Sequence, residues 1–286
     1  MFEMAAGFSH SISLAGGLNP SASPCHRHAR STSLPCPSHP ALANLRLQIR
    51  SLRPSPQPDG HPAERIEAAI VSIDRIHAAL DGFLRLPLAR DPLRRGRPAW
   101  ADRLLDDLLH LADAHGRLRS AALALKQHHS EARAAIRRRD PGRLASAVRA
   151  FRREAKALDR LASSVGTIAR QPHATADEAE IAGAMKEAVA ATAASSAAIF
   201  AGVAALASAA ATAATGAAAW KGWSMVLSPT KRRWSSEQEE AAEMVALGKL
   251  EAWEERIEGL EKGSEWALRS LVNTRVLLLN ILTPSL

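Results

Sequence analysis

Residues 188–220 read AVAATAASSAAIFAGVAALASAAATAATGAAAW, an unbroken run without one charged side chain. Alanine dominates it, and only Val189, Ile199, Phe200, Val203, Leu206 and Trp220 are large and apolar. The run is long enough to cross a bilayer, which takes about twenty predominantly apolar residues. Its driving force for insertion is small. Ile199, Phe200, Val203 and Leu206 together supply roughly −2 kcal/mol, which the Ser, Thr and Gly residues between them erode. A buried bundle helix explains the same letters better. Ile199, Val203 and Leu206 fall at i, i+4 and i+7, a narrow apolar stripe, and the alanines let neighbouring helices approach closely. The spacing therefore favours a core helix over 176–220, with a membrane span as the alternative. As a span, its C-terminal end would be cytoplasmic, because Lys221, Lys231, Arg232 and Arg233 follow it.

The sequence on either side is helical too. Upstream, Thr175-Ala-Asp-Glu178 is a capping box whose hydroxyl and carboxylate would each satisfy a free backbone donor. Before it, Leu144, Val148, Phe151, Ala155, Leu158 and Val165 mark one helix, opened by Asp140-Pro141-Gly142 with proline at its first position. Leu104, Leu108, Leu111, His115, Leu118, Ala122 and Leu125 mark a second, running on to Arg139. Ile66, Ile70, Ile73, His77, Leu80 and Leu84 mark a third, joined to it by a basic linker over Arg90–Pro98. Downstream, Ser236-Glu-Gln-Glu239 repeats the capping box. Leu250, Trp253, Ile257, Leu260, Ala267, Leu271, Leu278 and Ile281 then follow near seven-residue spacing, which lets long helices interlock almost parallel. The expected fold is all-α, an antiparallel bundle of about five long helices over 62–283.

Residues 1–61 read differently. Prolines from Pro20 to Pro58 exclude a continuous helix, and the segment holds only two acids, Glu3 and Asp59. It is expected to be a disordered, Pro/Ser-rich basic tail, with one small helix where Leu42, Leu45, Ile49 and Leu52 recur. A transit peptide shares this composition, but amphipathic Arg-rich character is poor before Arg27. Two cysteines in 286 residues, Cys25 and Cys36, form no disulfide framework.

A formal net charge of +8 makes an acidic partner the natural expectation: anionic lipid, an acidic protein face or nucleic acid. Arg149, Arg152, Arg153, Lys156 and Arg160 lie mostly opposite the Leu144/Val148/Phe151 stripe and form a candidate contact face. No interleaved aromatic platform accompanies them, so nucleic acid is disfavoured against an anionic membrane surface or a protein. In the tail, Arg30-Ser-Thr-Ser33-Leu-Pro35 has the spacing recognised by 14-3-3 phosphoserine binders, with Ser33 as candidate phosphosite, Arg30 guiding the kinase and Pro35 turning the peptide out. Cys25, His26, His28, Cys36 and His39 resemble zinc ligands only superficially, because Pro37 and Pro40 crowd them and the first half lacks a matching pair. No phosphate loop or nucleophile elbow is present, so neither cofactor nor catalysis is expected.

Four blocks carry a family resemblance: His28–Pro40; Leu104–Lys126 with Arg137-Arg-Arg139; Trp220-Lys-Gly-Trp-Ser-Met-Val226; and Leu268-Arg-Ser-Leu-Val-Asn-Thr-Arg-Val-Leu-Leu-Leu-Asn-Ile-Leu282. Together they resemble the plant BYPASS-type proteins over about residues 28–283. The resemblance implies an entirely helical protein without enzymatic activity or cofactor, whose relatives affect root and shoot development by restraining a mobile root-derived signal. Membrane association and plastid targeting have both been attached to the family. The expected location is cytoplasmic or peripheral to a membrane, with a single span or a plastid as alternatives. Two features depart from the family pattern: the segment preceding the opening block, and the alanine content of 188–219.

Overall fold

The computed structural model describes residues 39–51, 62–96, 98–170, 180–218 and 236–283. Among the described residues there are seven helices and no strand: α1 (Pro40–Ser51), α2 (Pro62–Leu84), α3 (Pro87–Gly96), α4 (Ala99–Arg137), α5 (Pro141–Ala169), α6 (Glu180–Ala218) and α7 (Ser236–Leu282). The five long ones form the bundle. Among the described residues each apolar stripe read from the sequence is buried, apart from Ile70, which is half-buried.

The helices close a ring in the order α2, α7, α4, α5, α6 and back to α2. Neighbours run antiparallel with one exception. His77 pairs with Thr274, and Gly263 lies against Ile70, so α2 and α7 run parallel. A ring with an odd number of members cannot alternate all the way round, and this seam is where the alternation fails. Gly263 suits the close approach, since a Cβ there would come within 2.5 Å of Ile70 Cδ1.

The alanine-rich helix α6 is the hub, packing against α1, α2, α4, α5 and α7. Ala188, Ala193, Ala207 and Ala214 are completely buried, and the large side chains Ile199, Phe200, Val203 and Leu206 fill the interior between them. Small residues permit several neighbours at once, because a bulky side chain would hold each axis farther away. Glu180–Gly216 is also long and apolar enough to cross a membrane, and half of its most apolar window is buried inside the bundle.

One sequence expectation changes. The basic linker over Arg90–Pro98 is largely helical: α3 begins on Pro87, where the missing N–H costs nothing, and is anchored by buried Ala89 and Leu93. The small helix expected around Leu42, Leu45 and Ile49 forms as α1, with those side chains buried against α2 and α6. Apolar spacing outweighed proline content there. The rest of residues 1–61, and the Thr175–Glu178 box, lie outside the described residues, as do the side chains of 236–239.

The corner between α4 and α5 shows how sequence stops one helix and starts another. Asp140 caps α5 by accepting from the Arg143 N–H at 3.0 Å, ahead of Pro141. The end of α4 is closed by bonds from Asp140 N–H to Ala135 O (2.9 Å) and from Arg139 N–H to Ile136 O (3.0 Å). That pattern needs a left-handed residue, and Arg139 supplies it with φ 54°. Glycine adopts this conformation without the Cβ penalty, so Arg139→Gly is expected to stabilise the fold by about 0.5–1 kcal/mol despite losing the exposed 3.8 Å pairing with Glu243. Urea midpoints of the two proteins would show it, and a lower midpoint for the variant would contradict this account.

Candidate functional site

The five cations read on α5 lie on its solvent side, with exposed Asp159 among them. Arg149, Arg152, Arg153, Lys156 and Arg160 are all exposed, directly across the helix from buried Leu144, Ala147, Phe151 and Leu158. None of the five forms an ion pair among the described residues. Little crowds them. On one flank the exposed positions of α6 are small, including Ala201, Ala205 and Ser208. On the other, an open valley of about 1250 Å³ runs over α4, where Gly116, Ser120 and Ala124 keep the surface low. Arg160 lines its edge. Exposed Arg137, Arg138 and Arg143 extend the positive surface around the α4–α5 corner.

A second feature lies inside. Histidines occupy core positions of α2 and α4 and meet hydroxyls of other helices. His77 Nδ1 is 2.8 Å from Thr274 Oγ1 of α7, and its Nε2 is 3.4 Å from Thr192 Oγ1 of α6. Thr192 donates its only hydrogen to Ala188 O at 2.9 Å, so it can only accept from His77. The neutral ring therefore carries its hydrogen on Nε2, and Thr274 donates to Nδ1. His115 reaches Ser196 Oγ on α6 with Nε2 at 3.0 Å, while its Nδ1 is buried without a partner. An unfilled acceptor is tolerated better than a buried orphan N–H, so His115 too carries its hydrogen on Nε2. Burial pushes both histidines down to about 4, with His77 adding to the depression at His115. Both rings are neutral at pH 7.

At the α4–α5–α7 junction, His129 Nε2 donates to Leu250 O at 2.6 Å and its ring lies against Trp253, centroids 5.5 Å apart. Burial lowers its pKa, opposed by that hydrogen bond and by Glu254 and assisted by Arg133. Arg133 holds Glu254 at 2.6 Å and Glu251 at 3.0 Å on α7. The C-terminal block contributes a further tie, Arg275 Nε donating to Leu105 O at 3.2 Å. Asp107 on α4 is half-buried. Its carboxyl is pushed up by burial and by Asp106, against the pull of His110.

The sequence placed His77 and His115 on apolar faces without identifying Thr192, Ser196 or Thr274 as their partners. The only signal was a polar residue in each core stripe at matching depth. Ser33, Arg30 and Pro35 lie outside the described residues, as do Cys25, His26, His28 and Cys36. His39 is described, and its Nδ1 accepts from the Ala41 N–H at 3.2 Å, closing the start of α1. Among the described residues no group of His, Cys, Asp or Glu is arranged to hold a metal.

A family model described as Protein BPS1 matches residues 70–281, from α2 through nearly all of α7. No curated protein and no solved structure gives a match. The matched span contains the α5 cations, His77 and His115, and all three hydroxyl partners of that pair. The chain belongs to the plant BYPASS family, an all-helical family with a role in plant development.

Proposed function

We propose that this protein acts without enzymatic activity in root and shoot development, restraining a root-derived signal, by docking through the α5 cations onto an anionic membrane surface. The observation that carries this reading is the row of five exposed cations, none in an ion pair among the described residues, on a helix whose other face is buried. Each Lys or Arg held near an anionic bilayer contributes about 1 kcal/mol. No large apolar side chain is exposed on α5 or α6 among the described residues, so the attachment is electrostatic and reversible by salt.

Replacing Arg149, Arg153 and Lys156 together by Gln is expected to weaken binding to phosphatidylserine-containing vesicles on the order of 100-fold at neutral pH, with unchanged helicity. Flotation checks this. Equal binding by the variant, or undiminished binding in high salt, would remove the reading and leave an acidic protein as the partner.

A membrane-anchored scaffold held by α6 is the second reading, favoured by the length and apolarity of Glu180–Gly216. Carbonate extraction separates the two, since release of the protein excludes a constitutive span. A 14-3-3 contact at Ser33 is a separate proposal. Retention of 14-3-3 binding by Ser33→Ala would rule it out.

A further inference from the structure

The exposed side of α6 differs from every other long helix. On α4 the solvent-facing positions include Asp102, Arg103, Asp106, Asp113, Arg117 and Arg119, and on α5 the cations described above. On α6, from Ala188 to Gly216, the exposed positions include Ala201, Ala205, Ser208, Ala209, Thr212 and Thr215, with no charge. A core helix needs apolar residues only where it is buried, and solvent ordinarily fills the other face with charge. Here the whole circumference is compatible with lipid, yet the insertion energy is marginal, which suits a conditional rather than a permanent span.

What holds α6 in the bundle supplies the condition. Its hydroxyls Thr192 and Ser196, one turn apart, are bonded by His77 from α2 and His115 from α4. These rings can stay only while neutral. A proton arriving on His115 Nδ1 meets no acceptor, because that atom is buried and unpartnered. A proton on His77 Nδ1 would face the Thr274 hydroxyl that now donates to it. The surroundings offer little compensation. Around His77, α2 presents Asp74, Asp81 and Arg85 along the groove, Asp81 being already engaged by Arg85, while α7 presents only the neutral Ser270, Asn273, Thr274 and Asn280 and α6 presents Thr192. Around His115, α6 presents Ser196 and Phe200, α2 presents His77, and among the described residues no carboxylate of α5 or α7 bears on the ring.

We infer that acidification releases α6 from the bundle and lets it enter the apolar interior of a lipid bilayer, making His77 and His115 a proton-operated latch on a conditional membrane helix. This activity is independent of the α5 contact: it requires no anionic lipid and survives high salt. It also begins where burial ceases to keep the rings neutral, between the ordinary histidine range and about 4.

The test uses the full chain and vesicles of phosphatidylcholine alone in about 0.5 M salt, where surface charge is screened. Flotation near neutral pH is expected to leave the protein in solution. At a pH of about 4.5 it is expected to float, with residues 188–216 protected from added protease. Placing Ala205→Lys and Ser208→Lys on the exposed side leaves the packing untouched and puts two charges near the centre of the insert. Flotation at acid pH should then fall on the order of 100-fold or more. The pair His77→Gln with His115→Gln should remove the acid step. The inference is overturned by absence of flotation at acid pH, by flotation without protection of 188–216, or by lysine variants that float like the parent.

Discussion

Lowering the pH from 7 to about 4.5 is expected to reduce the stability of the bundle by about 5 kcal/mol through His77 and His115 alone. Both have folded pKa values near 4 against an ordinary 6.5, so between those limits the unfolded chain binds protons that the folded chain refuses. Their contribution is complete above pH 6.5 and is lost as pH falls towards 4, below which it changes no further. By pH 4.5 each ring has crossed about 2 of its 2.5 units, and at about 1.4 kcal/mol per unit two rings account for the size. Single domains hold about 5–15 kcal/mol in total, so acid should bring this bundle close to unfolding. His129 shifts in the same direction and steepens the loss. Urea denaturation at successive pH values checks it. A midpoint constant from pH 7 to 5, falling only below 4, would assign acid lability to the carboxylates instead.

Phe151→Ala is expected to cost about 3–5 kcal/mol. The ring is fully buried and stands edge-on to Trp253 of α7, centroids 5.5 Å apart at 86°, and to His128 of α4 at 6.2 Å and 79°. It therefore joins three helices at one point. Deleting it opens a cavity that three helix backbones cannot close together, and removes two edge-to-face contacts besides. A fall in Tm of about 10 °C is the expected reading by calorimetry. Phe151→Leu retains most of the volume and should cost less than half as much. If alanine and leucine behaved alike, the junction would not be packed as described.

Much of this fold was legible because its helices are long and their apolar spacing is regular. Leu104 to Leu125 on α4 and Leu250 to Ile281 on α7 needed nothing beyond period to predict burial. Helix α3 was missed because its charge-rich letters read as a basic linker when the tertiary packing of Leu93 is not known. Direction was legible only by default. Alternation is the simplest assumption for successive helices, and no local residue announces that α2 and α7, far apart in sequence, share a seam. The α5 cations emerged whole, since a surface stripe is a property of one helix. The histidine latch did not, because its bonds span from 81 to 197 positions in sequence and depend on four helices meeting at one depth.

The parallel seam has an electrical consequence. With α2, α5 and α7 pointing one way and α4 and α6 the other, the peptide dipoles do not cancel around the ring. The N-termini of α5 and α7 share an end with the C-terminus of α4, as the Arg139–Glu243 contact fixes. Exposed Arg137, Arg138 and Arg143 crowd that same end. The bundle therefore has a positive pole as well as a positive flank, and an approaching anionic surface would turn the molecule before touching it.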